Sequence, residues 1–288
     1  MTKNIKNILS IDIDYVLEPC ITLYEQHLTS NHPFYVSYKE IIDHPTDVLQ
    51  HWRELAPLIN KVADISQKNY NEIIELFTYA LFKLKKTESD KLYFADNHCT
   101  ILNPLKELYE PGMEFNILNI DHHHDIYYSE GQVREVDLYN LVSPADWVWY
   151  LAKYKALHQY TWIGNENSEN FKPIKNFMLD KDQAARYTSL EQYKTNESLP
   201  KTFDLIYVCK SPQWTPTKFH DLFENLKTAS KNYFKKDFNQ DKGYYSGGRT
   251  STPFTTDPKE SVELDPKYAK GDGNNPLLNI DDKINYDI

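Results

Sequence analysis

The stretch Asn116-Ile-Leu-Asn-Ile-Asp-His-His-His-Asp125, running on into Ile126-Tyr-Tyr, is an apolar segment of strand length that ends in five consecutive ionisable or metal-ligating side chains. In α/β proteins the carboxyl end of a parallel strand is where sites are built, so this segment is expected to be a buried strand delivering ligands to such an edge. If the backbone stays extended past Ile120, the two-residue side-chain period places Asp121, His123 and Asp125 on one face, with His122 and His124 on the other. Two carboxylates and an imidazole suit a divalent first-row metal, and the carboxylate-rich character favours manganese. The competing reading is a solvated polar loop, but buried strands seldom end in so many costly groups without a partner for them.

A second segment repeats the pattern near the start of the chain. Ile8-Leu-Ser-Ile-Asp-Ile-Asp-Tyr-Val-Leu17 is again apolar and β-branched, and it carries Asp12 and Asp14 two residues apart. On one face of a strand these acids repel, and a cation between them resolves the conflict; an edge strand with solvated acids is the plainer alternative. A third apolar run, Lys91-Leu-Tyr-Phe-Ala-Asp-Asn-His-Cys99, ends in Asp96-Asn97-His98 before a helical segment in which Asn103 is expected as the N-cap ahead of Pro104. Alone, His98 reads as a structural histidine at a strand-to-helix turn. Beside two other acid-bearing strand ends it becomes a candidate ligand. The constellation is then Asp12, Asp14, His98, Asp121, His123 and Asp125, enough for two divalent ions about 3.5 to 4 Å apart.

Around these strands the chain alternates helix and strand. Helices are expected within residues 51–62, 71–84, 100–108, 143–157 and 217–230, with Pro57 breaking the first, and further strands at 160–164 and 203–209. Residues 165–170 and the segment around Lys194 read as loops. This alternation predicts a three-layer α/β/α domain with a mainly parallel sheet over residues 1–230. A polar C-terminal extension, irregular or partly disordered, is expected over 231–288.

Composition bounds the function. The 288 residues are 40% hydrophobic, enough for a sizeable core, and the formal net charge is −10. An acidic chain without clustered Lys and Arg argues against a nucleic-acid surface and favours a cationic substrate. Cys20, Cys99 and Cys209 are an odd number without CxxC spacing, so neither a disulfide framework nor a zinc knuckle is expected, only buried thiols. The opening residues resemble no secretory signal and no apolar run approaches membrane-spanning length, which leads to the expectation of a cytoplasmic enzyme that engages no membrane.

The pieces Ser10-Ile-Asp-Ile-Asp-Tyr15, Asp96-Asn-His98 and Asp121-His-His-His-Asp125 resemble the three metal-binding motifs of the arginase and ureohydrolase superfamily. In ordinary arginases the D-x-D strand comes last, whereas here it comes first, so the chain looks circularly permuted relative to them. That order, together with Phe203-Asp-Leu-Ile-Tyr-Val-Cys-Lys-Ser-Pro-Gln-Trp-Thr-Pro216, is similar to the peptide arginases, which convert arginine side chains of ribosomally made precursor peptides to ornithine. The resemblance covers roughly residues 8 to 222. It implies an arginase/deacetylase-like α/β/α fold, a binuclear manganese centre and a nucleophilic hydroxide between the ions. One ion would be held by His98, Asp121, Asp125 and Asp12, and the other by His123, Asp121, Asp12 and Asp14. His122, His124 and His158 are assigned supporting or structural places. The glutamate with which free-arginine arginases grip the guanidinium has no counterpart on the 203–209 strand, so guanidinium recognition and the proton shuttle stay unassigned.

Two further readings share parts of the pattern. Asp12-x-Asp14 also fits the nucleophile motif of haloacid-dehalogenase-type phosphatases, but no later strand carries their second acidic motif. Ile120-Asp-His-His123 is close to the signature of the DHH phosphoesterases, which use two manganese ions, yet Tyr15-Val16 is bulky where they admit a phosphate and no Gly-rich phosphate loop is present. A metal-stabilised binding protein without catalysis is the remaining class.

Overall fold

A computed structural model describes residues 4–16, 66–126, 142, 144–166, 168, 184–187, 189–211, 215 and 219–241. The helix expected within 51–62, Cys20 and residues 242–288 lie outside the described residues.

Seven strands form one sheet: β1 (Asn4–Asp12), β2 (Leu92–Ala95), β3 (Met113–Ile120), β4 (Leu157–Ile163), β5 (Ala184–Tyr187), β6 (Leu205–Cys209) and β7 (Gln240–Asp241). Their order is β5-β4-β3-β1-β6-β2-β7, and every neighbouring pair is parallel. The first strand in the chain therefore lies in the middle of the sheet. β1 pairs with β3 from Asn4↔Met113 to Ile11↔Ile120, and with β6 from Ile8↔Leu205 to Asp12↔Cys209. These registers bring the carboxyl ends of β1, β3 and β6 level with one another.

The near-continuous apolar runs in β1, β3 and β6 follow from burial on both faces, as parallel sheets require. Alternate residues sort to opposite sides. Ile8, Phe115, Ile117, Trp162, Leu205 and Tyr207 pack with α2 (Leu102–Leu108) and α3 (Trp147–Lys153). Leu9, Ile11, Leu118, Ile120, Ile206 and Val208 pack under α1 (Gln67–Lys83), α4 (Leu190–Thr195) and α5 (His220–Phe234). The result is a three-layer α/β/α domain with an all-parallel sheet, as the strand and helix alternation predicts.

Local signals explain where the elements begin. α1 starts at Gln67, earlier than its apolar period suggests, because Ser66 caps it by accepting from the Asn69 amide. Its buried residues, Asn69, Ile73, Leu76, Phe77, Ala80 and Leu81, follow the three-and-four spacing of one helical face. α2 is not capped by Asn103. A 3-10 turn at His98–Ile101 leads into it with no side-chain cap at Ile101; the side-chain cap lies at the start of that turn, where Asn97 accepts from the Cys99 amide. The segment around Lys194 is helical rather than a loop, since Ser189 caps it and Leu190 and Tyr193 are buried. Asn165, Glu166 and Ser168 lie outside helices and strands, in keeping with the expected loop.

The expected boundary at residue 230 falls inside α5, which continues to Phe234. Beyond it Phe238 is buried with its ring edge-on to Phe94, and Gln240–Asp241 adds β7 beside β2. A chain ending at Ser230 is therefore expected to unfold with at least about 3 kcal/mol less stability than one ending at Asp241, the scale of one lost buried aromatic. Urea unfolding of the two truncated proteins checks this, and equal midpoints would place the boundary back at 230.

Candidate metal centre

The ligand-bearing side chains gather where β1 and β3 end, though by turns rather than by extended strand. β3 stops at Ile120, and Asp121 keeps the side-chain parity of Asn119 one step further. The chain then bends: the His123 amide donates to Asp121 Oδ1 at 2.8 Å, and Asp125 adopts a left-handed backbone at φ 49°. This turn, not strand alternation, sets Asp121, His123 and Asp125 apart from His122 and His124. β1 likewise stops at Asp12, and Asp14 sits in a 3-10 turn, Ile13–Val16, with its amide 3.3 Å from Asp12 Oδ1.

His98, at the turn after β2, points Nδ1 at three carboxylates: Asp125 Oδ2 at 2.9 Å, Asp121 Oδ2 at 3.1 Å and Asp12 Oδ2 at 3.2 Å. On the neighbouring side His123 Nδ1 lies 2.9 Å from Asp14 Oδ2 and 4.0 Å from Asp121 Oδ1. Two groups could hold a metal ion, Asp12-His98-Asp121 and Asp14-Asp121-His123, the ligand atoms within each lying inside 4.8 Å of one another. They share Asp121, which turns one oxygen toward each imidazole. Asp125 touches His98 but falls outside both groups, and its Oδ2 also accepts from the Trp147 indole N–H at 2.7 Å.

The remaining histidines separate cleanly. His122 gives its amide to Asp14 Oδ1 and places its ring against His123 and, at 3.4 Å, Ser168 Oγ. His124 accepts the Ile126 amide at Nδ1 and sits edge-on to Trp162. Both lie outside the two groups. His158 is at the amino end of β4, paired with Glu114 at 2.7 Å, and belongs to the opposite edge of the sheet from the cluster.

Several supporting residues have no motif of their own. Ser10 Oγ lies 2.6 Å from His98 Nε2, fixing the ring so that Nδ1 faces the acids. It sits two residues before Asp12 on the same strand face, a placement that strand periodicity makes readable. Asn119 Nδ2 donates to Asp121 Oδ2 at 3.1 Å and also to Tyr160 Oη, whose own hydroxyl holds the His124 carbonyl. The Trp162 indole donates to the Asp121 carbonyl at 2.9 Å. A Cβ on Gly164 would come within 2.8 Å of the Trp162 ring, so only glycine lets that indole lie where it does. Ser211, after β6, donates to Asp12 Oδ2.

Electrostatically the cluster is out of balance. Asp12, Asp14, Asp121 and Asp125 are all buried, with two imidazoles among them. Burial, reinforced by the charge of Asp125, pushes the Asp121 carboxyl up to about 7. Burial also raises Asp12, helped by the charge of Asp14, and raises Asp14, helped by that of Asp121. At His98 burial opposes the charged ring, but the Asp125 charge and the bonds to Asp12 and Asp121 hold it well above the ordinary histidine value. Among the described cysteines, Cys99 and Cys209 are buried and form no disulfide, and no helix of the described residues is long and apolar enough to cross a membrane. Comparison with protein-family models, with curated proteins and with solved structures finds no match.

Without metal these shifts all act in one direction. A group whose folded-state pKa is raised contributes stability at low pH that is lost as pH rises through the folded value, for Asp121 between 3.8 and about 7. The urea midpoint of chelator-treated protein is therefore expected to fall as pH rises from about 5 to about 8, and added divalent metal to restore it most at the higher pH. A midpoint that rises over this range in the chelated protein contradicts the assignment.

Proposed function

We propose that this chain is a dimanganese hydrolase that converts arginine side chains of a peptide to ornithine with release of urea, on a circularly permuted arginase-like fold in the cytoplasm. The observation that supports it most is the division of Asp121 between two Asp/His groups. One imidazole, even when protonated, answers at most one of the three buried carboxylate charges within 3.2 Å of its Nδ1, and the neutral donors on those oxygens add no positive charge, whereas a divalent cation among the four donors would. The donor set thus fits divalent ions, and its oxygen-rich character suits manganese. His98, Asp12, Asp121 and Asp125 would hold one ion, and His123, Asp14, Asp121 and Asp12 the other, the division that the family resemblance implies.

When bound, such a pair supplies a water deprotonated near neutral pH and stabilises the charge that develops on the reacting group. The protein's own share is positioning. Ser10 sets the ring of His98, Trp147 restrains Asp125, and Asn119 restrains Asp121. These bonds limit the reorganisation left to the ligands at the moment of reaction. The net reaction adds water across the guanidinium carbon and breaks its bond to the side-chain nitrogen, leaving an amine and urea. The acid-rich site and the acidic chain suit a cationic group. At the end of β6, Cys209, Lys210 and Ser211 offer it no carboxylate.

Two measurements test the reading. Elemental analysis after manganese loading is expected to give about two ions per chain, and His123→Ala to lower that content; an unchanged content in the variant removes His123 from the centre. An arginine-containing precursor peptide co-expressed with the protein is expected to lose about 42 Da per converted arginine in mass spectra, and Asp14→Asn to abolish the change. Cleavage of phosphodiesters with arginine untouched makes the protein a phosphoesterase instead. Metal binding with neither reaction makes it a binding protein.

A further inference from the structure

We propose that Ser211 is a positioning residue of the metal centre, its hydroxyl setting the rotation of the Asp12 carboxylate. The inference rests on the metal reading of the cluster and is independent of the arginine substrate.

β6 lies between β1, which ends in Asp12, and β2, which leads to His98, so its carboxyl end abuts the cluster directly. What it brings there is the hydroxyl of Ser211, 2% exposed, donating to Asp12 Oδ2. That oxygen is the one 3.2 Å from His98 Nδ1. The other oxygen of the same carboxylate receives the Asp14 amide. Asp12 is thereby held at both ends, one oxygen by its own turn and one by a strand remote in sequence, and its free rotation is removed before a metal arrives.

The backbone at Ser211 is adapted to this contact. Its φ is 42°, in the left-handed region that a residue with a Cβ enters only against steric resistance. The surroundings keep it there. The Ser211 carbonyl accepts the Thr215 amide at 2.8 Å, the Thr215 carbonyl lies 2.8 Å from His220 Nε2 at the start of α5, and the preceding Lys210 is tied to β2 through the Ala95 carbonyl and Asp96. Glycine would adopt the same backbone without strain, so a serine at this position is accounted for by what its side chain does. Among the described residues its hydroxyl touches the Cys209 thiol, at 3.2 Å, and Asp12.

Three proteins decide the matter: the unaltered chain, Ser211→Ala and Ser211→Gly. Manganese affinity is read by titration of the chelated proteins, and ligand geometry by the absorption bands of the cobalt-substituted forms. If the hydroxyl positions Asp12, both variants bind manganese about 10- to 100-fold more weakly and shift the cobalt bands. If Ser211→Gly keeps full affinity and only Ser211→Ala loses it, the backbone and not the hydroxyl matters, and the proposal fails. Unchanged affinity in both variants, or no manganese binding by the unaltered chain, also overturns it. Failure of the peptide assay with affinities that follow the expected pattern removes the arginine reading and leaves Ser211 in place.

Discussion

The structure depends on an electrostatic constraint: four carboxylates are buried at the ends of two adjacent central strands with two imidazoles to answer them. An isolated buried carboxylate is costly enough that proteins neutralise it or pair it. Here the raised Asp12, Asp14 and Asp121 and the elevated His98 express the same deficit from both sides, as the cluster holds protons in place of missing positive charge. A centre of this kind works against the apo fold and in favour of the metal-loaded one, because binding free energy and the relief of repulsion arrive together.

The sheet meets that constraint through register. Placing the first strand of the chain at the centre, flanked by β3 and β6, sets Asp12 beside both the Asp121 turn and the Ser211 turn. β2 lies one strand further, and its cap residue Asn97 tightens the turn so that His98 reaches back over β6, where its ring stacks parallel to Tyr207. Ligand geometry here is a property of strand neighbours, not of strand sequence order. Any order of the strands along the chain that kept these neighbours would bring the same side chains together.

Much of this was legible in residues alone. Apolar runs ending in acids identify β1 and β3, and their polarity places the acids at the carboxyl edge. The same polarity argument excludes His158, which precedes its strand's apolar half and pairs with Glu114 at the far edge. What periodicity misread was the local backbone. Extended geometry and a tight turn both separate residues 121, 123 and 125 from 122 and 124, so the pattern could not distinguish them; the deciding contact, the His123 amide on Asp121 Oδ1, is a side-chain-to-backbone bond that leaves no period. β5 and β7 escaped for a related reason. Ala184–Tyr187 has no β-branched residue and Gln240–Asp241 is two residues long, and both are made strands by the neighbour they pair with.

Ser211 marks the limit of motif reading. In sequence it is one serine before a proline, 199 residues from Asp12. Parallel pairing of β1 with β6 puts it against that carboxylate, and among the described residues the Lys210, Thr215 and His220 contacts hold its left-handed backbone. The consequence bears on substrate recognition as well. On the proposed reading, the described end of β6 contributes a hydroxyl and no carboxylate to the cluster, and a group that grips a cationic substrate is proposed to come from another of the segments that leave the carboxyl edge of the sheet. Division of labour of that kind separates the chemistry, held by the rigid strand ends, from specificity, carried by the connections between them.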